Sequence, residues 1–417
     1  MQSHSAPCRH AHSFSVADAG IRKQIAALPG RYRYVADREW RLKKRVFAAV
    51  TLRCRAVSFG RMLTMEVNVN RIVRAVDVGR GNVKFIATVS GVDFKCEMFP
   101  AEAHPTEVLP EQDGWSARRK TVGIPIGKLI YEVGPDVALA ADVFNAAVLQ
   151  HDRYCESDEY LALLLGAIHY MDVPVIDLLI VGLPVATFKL RKVVTALERR
   201  LTGQHALGGT RSVTVAKAKA VPQPVGALMS YGLLQNRLAE VRKERSLIVD
   251  PGRRTFDWLV TQGMQQIEKR SHSVNRGMFD VLQSIADGIG RSTSSQFRDF
   301  DAIDIALRTR KRPVVFQSEY DIEQHLPLAR KIPEQAVAEM MRYVGDAGDI
   351  KNILLVGGGA FFFKPALKAA FPRHAIHEIK DPLFANVRGF QYAGIDLARS
   401  LCSQHAEVMA LPTLEAP

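Results

Sequence analysis

The sequence predicts a mixed α/β protein built from two related lobes, and three observations carry that prediction. Segments of strand character alternate with helical ones over most of the chain, the pattern of helices packed on sheets. One unit, a strand ending in Asp, a glycine turn and a second strand, occurs twice, at Asp77 and again at Asp250. Toward the other end an apolar strand runs into three consecutive glycines and a helix. The 417 residues suffice for two or three domains, and 47% apolar with 24% charged residues are ordinary globular values.

The net charge of +13 suggests a nucleic-acid binder until it is located. Thirteen of the 56 basic residues but only three of the 43 acids (Asp18, Asp37 and Glu39) fall within residues 1–64, so that segment carries +10 and the remaining 353 residues +3. The body of the chain therefore lacks the charge of a nucleic-acid-binding domain. The basic segment has neither the apolar core nor the cleavage site of a secretory signal. Three readings of it stay open: an organellar transit peptide, an arm that grips phosphates, and a stretch upstream of a working start at Met62 or Met65. The most apolar stretch, residues 173–186, is broken by Pro174, Asp177 and Pro184 and falls short of the ~18–20 residues that span a bilayer, so a soluble chain without a membrane partner is expected. Cys8, Cys54, Cys96, Cys155 and Cys402 form no C-x-x-C pair, which points away from disulfides and zinc and toward a reducing cytosol.

Each element has its own signal. Residues 71–77 read as a strand entering a glycine turn and 83–89 as the strand leaving it. The stretch 93–150 reads as an irregular inserted subdomain, punctuated by Pro100, Pro105, Pro110, Pro125 and Pro135. Ser157, Asp158 and Glu159 supply a helix cap and early acids before the stripe Leu161, Leu164, Leu165 and Ile168. Residues 175–183 form the apolar run of a strand buried on both faces. A helix over 187–201, an alternating strand over 213–221 and a long helix over 225–245 with a basic end follow. The second hairpin pairs 246–252 with 255–261, and helices are expected near 277–290, 296–311 and 333–344. Residues 352–356 enter the glycines, a helix runs to 371, a short strand lies near 374–379 and a closing helix covers about 384–402. The resulting division is a basic extension 1–64, a first lobe 65–244 with an insert at about 93–150, a second lobe 245–384, a returning helix 385–403 and a tail 404–417.

The chemistry of the repeated unit is readable. Val76-Asp77-Val78-Gly79-Arg80-Gly81-Asn82-Val83-Lys84 aligns with Val249-Asp250-Pro251-Gly252-Arg253-Arg254-Thr255-Phe256-Asp257. A glycine turn lets backbone N–H groups approach phosphate oxygens closely. An Asp at each strand end can hold a hydrated Mg²⁺, which keeps several waters and needs only one or two carboxylates. Lys84, on the returning strand, can place a point charge on phosphates. Taken singly, either unit also reads as an ordinary hairpin whose Asp caps its turn. The glycines Gly357, Gly358 and Gly359, followed by Ala360, form a surface on which a nucleotide can lie at a helix N-terminus. They make no G-x-G-x-x-G fingerprint, and the chain contains no G-x-x-x-x-G-K-[ST] loop.

In this order and spacing the three motifs resemble the actin and heat-shock-chaperone ATPase superfamily, and within it the plasmid-segregation actins of the ParM/StbA type. Val181-Gly182-Leu183-Pro184-Val185, Val221-Pro222-Gln223 and Ala385-Asn386-Val387-Arg388-Gly389 match as well, and the similarity covers roughly residues 70–402. The resemblance implies an actin-like ATPase fold, with two ribonuclease-H-like lobes around a central nucleotide cleft, and ATP or GTP with Mg²⁺ as cofactors. It further implies that Asp77 and Asp250 organise Mg²⁺ through its waters. Gly79, Arg80, Gly81 and Asn82 would wrap the phosphates together with Gly252, Arg253 and Thr255, with Lys84 neutralising them and Asp257 on the phosphate side. Gly357, Gly358, Gly359 and Ala360 would pack against the adenosine. Gln223 and Asp250 are the implied catalytic residues, Gln223 orienting the attacking water without taking its proton, as suits a loose phosphoryl-transfer transition state. One departure stands out: Arg253 and Arg254 occupy a turn where these families commonly have small residues, so that one of them contacts the γ-phosphate or their bulk reshapes the site.

The function so implied is a cytoplasmic filament that assembles head to tail with ATP, hydrolyses it slowly and serves plasmid partition. A DNA-binding adaptor would link it to cargo, its own DNA contact being indirect. Two alternatives use the same fold: a small-molecule kinase, with Asp257 as the available base, and a nucleotide switch that does not polymerise.

Overall fold

The computed structural model describes residues 71–91, 93–107, 119–140, 154–379 and 381–409, with side chains to residue 400. The basic segment 1–64, with its three readings, and the end of the tail lie outside the described residues. No helix among the described residues is long and apolar enough to cross a membrane.

The first lobe opens with an antiparallel meander, β1 (Val73–Val78), β2 (Asn82–Ser90) and β3 (Asp93–Pro100). Helix α1 (Asp158–Met171) starts where its cap predicts: Ser157 Oγ accepts from the Tyr160 N–H at 3.2 Å, and Asp158 and Glu159 face the dipole in the first turn. Strand β4 (Leu178–Leu183), buried at every position, runs parallel to β1. Helices α2 (Val185–Phe188) and α3 (Arg191–Leu201) lead to β5 (Ala218–Pro222), parallel to β4, and to α4 (Gln223–Leu234). The spatial order is β3-β2-β1-β4-β5. Alternate residues of β1 and β4 face opposite cores: Val76, Leu179 and Val181 point to α1 and α3, whereas Val73, Ala75 and Ile180 point the other way.

The second lobe repeats this arrangement. β6 (Arg245–Pro251), β7 (Phe256–Gln262) and β8 (His272–Val274) pair antiparallel, and helices α5 (Met278–Thr293), α6 (Phe300–Thr309) and α7 (Lys331–Val344) follow. β9 (Asn352–Leu355), helix α8 (Ala360–Ala370) and β10 (Ile376–Glu378) close the sheet, with β9 parallel to β6 and β10 parallel to β9. The strands β8-β7-β6-β9-β10 follow the order and directions of the first sheet, with one short extra strand, Gln265–Gln266, on the end of β7, so the repeated sequence unit marks a repeated fold. The core holds Trp258, Phe256 and Phe363, the last two stacked at 5.4 Å between ring centroids.

Helix α9 (Ala385–Met409) leaves the second lobe and packs back on the first. Its crossing with α4 brings backbone against backbone: a Cβ on Gly389 would lie 1.7 Å from the Gly226 carbonyl oxygen, and one on Gly226 would lie 2.2 Å from that of Asn386. Gln391 Nε2 donates to the Val73 carbonyl at 2.9 Å and ties α9 to β1. The other face of α4 meets the second sheet, with Ala227 and Leu228 in one core with Ile248, Leu259 and Leu354. A helix apolar all round is the expected result of burial between two sheets.

Several expectations need correction. The strand expected over 213–221 is two strands: Ser212–Val215 lies in a separate three-stranded sheet, and only Ala218–Pro222 joins the main one. The stretch 93–150 is not irregular where it is described: β3 is a full strand of the main sheet, and His104–Thr106, Val122–Ile126 and Leu129–Val133 form a separate three-stranded sheet. Pro105 and Pro125 sit in its two outer strands, where a missing N–H costs no ladder bond on the solvent side. The helix expected over 225–245 stops at Leu234, because Asn236 takes a left-handed φ of 54°. The Arg237 N–H then bonds to Gly232 O at 2.7 Å and the Asn236 N–H to Leu233 O at 3.1 Å, a Schellman closure with Asn in the position usually held by Gly.

Candidate functional site

The turns of the two large hairpins have matching geometry. The Gly79 N–H is held by the carbonyls of Asp77 and Asn82, each at 3.1 Å, and the Gly252 N–H by that of Thr255 at 2.8 Å. The turns also touch: a Cβ on Gly81 would lie 2.4 Å from Arg253 Cδ. Strand register sets Asp77 opposite Lys84 and Asp250 opposite Asp257, so equivalent positions carry a cation in one hairpin and a third carboxylate in the other.

Asp77 is 1% exposed, with Lys84 Nζ at 3.3 Å from Oδ2 and Gln223 Nε2 donating to Oδ1 at 2.7 Å. An ionised carboxylate only accepts, so this bond sets the Gln223 amide with its nitrogen on Asp77 and leaves Oε1 as the acceptor end. Pro222 ends β5 and Pro224 sits in the first turn of α4, which makes Gln223 the first helical residue.

Asp250 is 8% exposed and its Oδ2 accepts from Asn386 Nδ2 at 2.6 Å. Burial pushes its carboxyl up to about 6; the neighbouring Lys84 opposes that shift, Asp257 and Asp77 add to it, and the Asn386 hydrogen bond also opposes it. Asp257 is raised by burial as well, against bonds from Ser273 and from the Val185 N–H, the latter at 3.1 Å. Oδ1 of Asp257 is thus engaged by two donors, which argues against the free base that the kinase alternative needs.

These groups line one cleft that is partly open to solvent. Asp77, Gly79, Arg80, Lys84, Gln223, Asp250, Gly252, Thr255 and Asp257 all border it, as does Arg254. Gly81, Asn82 and Arg253 are not in its lining, although Gly81 and Arg253 meet each other beside it. Gly357, Gly358, Gly359 and Ala360 also stand outside the lining, with Gly357 beside Asp250 and Gly359 beside Pro251. Gly357 has a φ of +80°, and a Cβ there would lie 2.0 Å from Asp250 Oδ1; the Gly359 N–H bonds to Pro251 O at 2.8 Å. Two of these glycines therefore let the β9–α8 turn close against the strand that carries Asp250.

Sequence reasoning gave no role to Asn386, the Val185 N–H, Ser273 or Tyr154, whose ring lies 5.8 Å from Arg80 Cζ. Asn386 and Val185 belong to segments that carried the resemblance, so a signal existed for them. Ser273 and Tyr154 had none.

Two observations fit a hydrated Mg²⁺ with a nucleotide. Three buried carboxylates converge on the cleft, and Asn386, which lines it, has a buried Oδ1 without a hydrogen-bond partner, an acceptor suited to a metal-bound water. Among the described residues no group of three or more His, Cys, Asp or Glu is placed to hold a metal ion, and Asp77 and Asp250 are the carboxylates that would hold Mg²⁺ or its waters. Such an ion would offset phosphate charge, with Lys84 beside it.

Residues 75–226 match the family model of the N-terminal domain of actin-like proteins, and residues 248–369 that of the C-terminal part of the archaeal MreB-like actin homologue. A search of curated proteins gives no match. Among solved structures, an archaeal actin homolog is 24% identical over 78% of this chain and 99% of its own, with a TM-score of 0.63. It has also been solved in complex with ADP. A non-polymerisable quadruple mutant of pCBH ParM is 19% identical over 78% of this chain and 100% of its own, with a TM-score of 0.62. The ParM of a 15-stranded filament from Clostridium botulinum is 18% identical over 78% and 99%, with a TM-score of 0.60. At these identities the likeness shows the fold, and it is the two-lobed fold that the sequence resemblance implied.

Proposed function

The chain is an actin-like protein, and from that premise we propose that it binds ATP or GTP with Mg²⁺ between its lobes, polymerises head to tail in that state and slowly hydrolyses the nucleotide. The observation that carries this reading is convergence: two hairpins of like geometry, one from each sheet, deliver Asp77 and Asp250 to a single cleft with Lys84 and Gln223. Gln223 is the residue that orients the attacking water, its amide already fixed by Asp77. Asp250 and Asp77 would hold the waters of the Mg²⁺ ion, which would offset phosphate charge. The glycines 357–359 and Ala360 receive the adenosine side. Polymerisation is supported by the ParM filament among the similar structures, and nucleotide binding by the ADP complex of the archaeal homolog.

The finer reading is a plasmid-segregation actin of the ParM/StbA type, most similar in its motifs to protein D of the bacterial PRTRC gene system. It would work in the cytoplasm and reach DNA through a DNA-binding adaptor.

Right-angle light scattering of the full chain tests the filament. Adding ATP and Mg²⁺ is expected to raise scattering, which then decays as nucleotide is consumed, and ADP alone is expected to give little. ATP-loaded protein that stays monomeric in sedimentation over a wide concentration range would sink the filament and favour the non-polymerising switch.

A further inference from the structure

We propose that Arg254 recognises the terminal phosphate of the bound triphosphate and that Phe279 is its positioning residue. The assignment rests on the nucleotide reading above and names which of the two turn arginines acts. Arg253 is exposed, and its side-chain stem crosses the tip of the first turn, where Gly81 leaves room for it. Arg254 instead borders the cleft with Asp77, Lys84, Gln223 and Asp250.

The side chain is built into place from behind. The first amides of α5, Met278 and Phe279, donate to the carbonyls of Gly252 at 3.0 Å and Arg253 at 2.7 Å, which clamps the turn on the helix N-terminus. Gly277 permits that closeness: a Cβ there would lie 2.5 Å from Arg253 O and 2.7 Å from the Arg254 carbonyl carbon. Phe279, in the first turn of α5, packs on Phe300 with centroids 5.2 Å apart and presents its ring to Arg254, whose Cζ lies 5.8 Å from the centroid. A guanidinium resting on an aromatic face keeps its N–H edge available for a planar, two-point contact of the kind phosphate offers. Among the described residues no carboxylate lies within ion-pair distance of Arg254, whereas Lys84 is already paired with Asp77. Of the three cations that border the cleft, Arg80, Lys84 and Arg254, it is Arg254 that the clamped turn and the Phe279 ring hold in place, and to it we assign the charge by which a triphosphate exceeds a diphosphate.

The test is calorimetric titration of the full chain with the β,γ-imido analogue of ATP and with ADP, each with Mg²⁺. Arg254→Ala is expected to weaken the triphosphate analogue about tenfold or more and ADP less than about threefold. Arg254→Lys should restore only part of the loss, since a point charge lacks the fork, and Phe279→Leu should cost the analogue an intermediate factor. Equal losses for both nucleotides in the alanine and lysine variants would assign Arg254 a merely structural role in its turn. Unchanged affinity for both would remove it from the phosphates altogether. A parent chain that bound neither nucleotide would overturn the nucleotide reading first, and this assignment with it.

Discussion

Gln223→Ala is expected to slow phosphate release from Mg–ATP by about 100-fold, on the order of 3 kcal/mol of transition-state stabilisation, with nucleotide affinity changed only a few-fold. The amide cannot act as a base, so its contribution is orientation, and that orientation is set by the 2.7 Å bond from Nε2 to Asp77 Oδ1. Alanine removes both the acceptor for the water and the donor to a carboxylate that is 1% exposed. Filaments assembled by the variant should accordingly persist long after those of the parent have decayed. Single-turnover phosphate release checks the rate, and a variant as fast as the parent would remove Gln223 from the chemistry. Glutamate is not a substitute here, because it would set a second carboxylate against Asp77.

The largest structural effect is expected at the crossing of α4 and α9. Gly389→Ala places a methyl group where 1.7 Å separates it from the backbone oxygen of Gly226, and backbone cannot rotate aside as a side chain can. A loss of about 3 kcal/mol or more is expected from such overpacking, read as a lower denaturant midpoint. Gly394→Ala supplies the comparison on the same helix. Its new methyl would meet the side chains of Val73 at 2.7 Å and Ile180 at 2.8 Å, which can shift, so its loss should be clearly smaller. Equal midpoints for the two variants would contradict the backbone-on-backbone crossing. Because Asn386 rides on α9, the Gly389 variant should also loosen the Asn386–Asp250 bond and with it the metal side of the cleft.

The parts of this molecule that could be read from its sequence are those whose physics is local. A strand, an Asp, a glycine turn and a returning strand fit within about nine residues, so both hairpins and the carboxylates they carry were visible without any knowledge of the fold. The inserted region reads as irregular because its five prolines look like breaks, yet Pro105 and Pro125 lie in outer strands, and an outer strand tolerates a missing N–H on its open side. The end of α4 was missed because Asn236, rather than Gly, adopts the left-handed cap. Asn386 reaches Asp250 across 136 residues, and the Val185 donor is a backbone amide, so although both lie in segments that carried the resemblance, their contacts with Asp250 and Asp257 are not legible from residue type. The roles of Arg253 and Arg254 were inseparable in sequence. What separates them is the N-terminus of α5 and the ring of Phe279, contributed by a helix that begins 24 residues beyond Arg254.

The central claim is that two hairpins, one from each lobe, form one Mg–nucleotide site. Equilibrium titration of the full chain with ATP, with and without Mg²⁺, tests it most directly when Asp77→Asn and Asp250→Asn are measured beside the parent and beside the double variant. One nucleotide per chain, a Mg²⁺-dependent affinity lost in either single variant, and a double variant scarcely worse than the singles is the result expected of a shared site. Affinity untouched by one of the two substitutions, or two losses that simply add, would show that the hairpins do not act on the same ion and nucleotide.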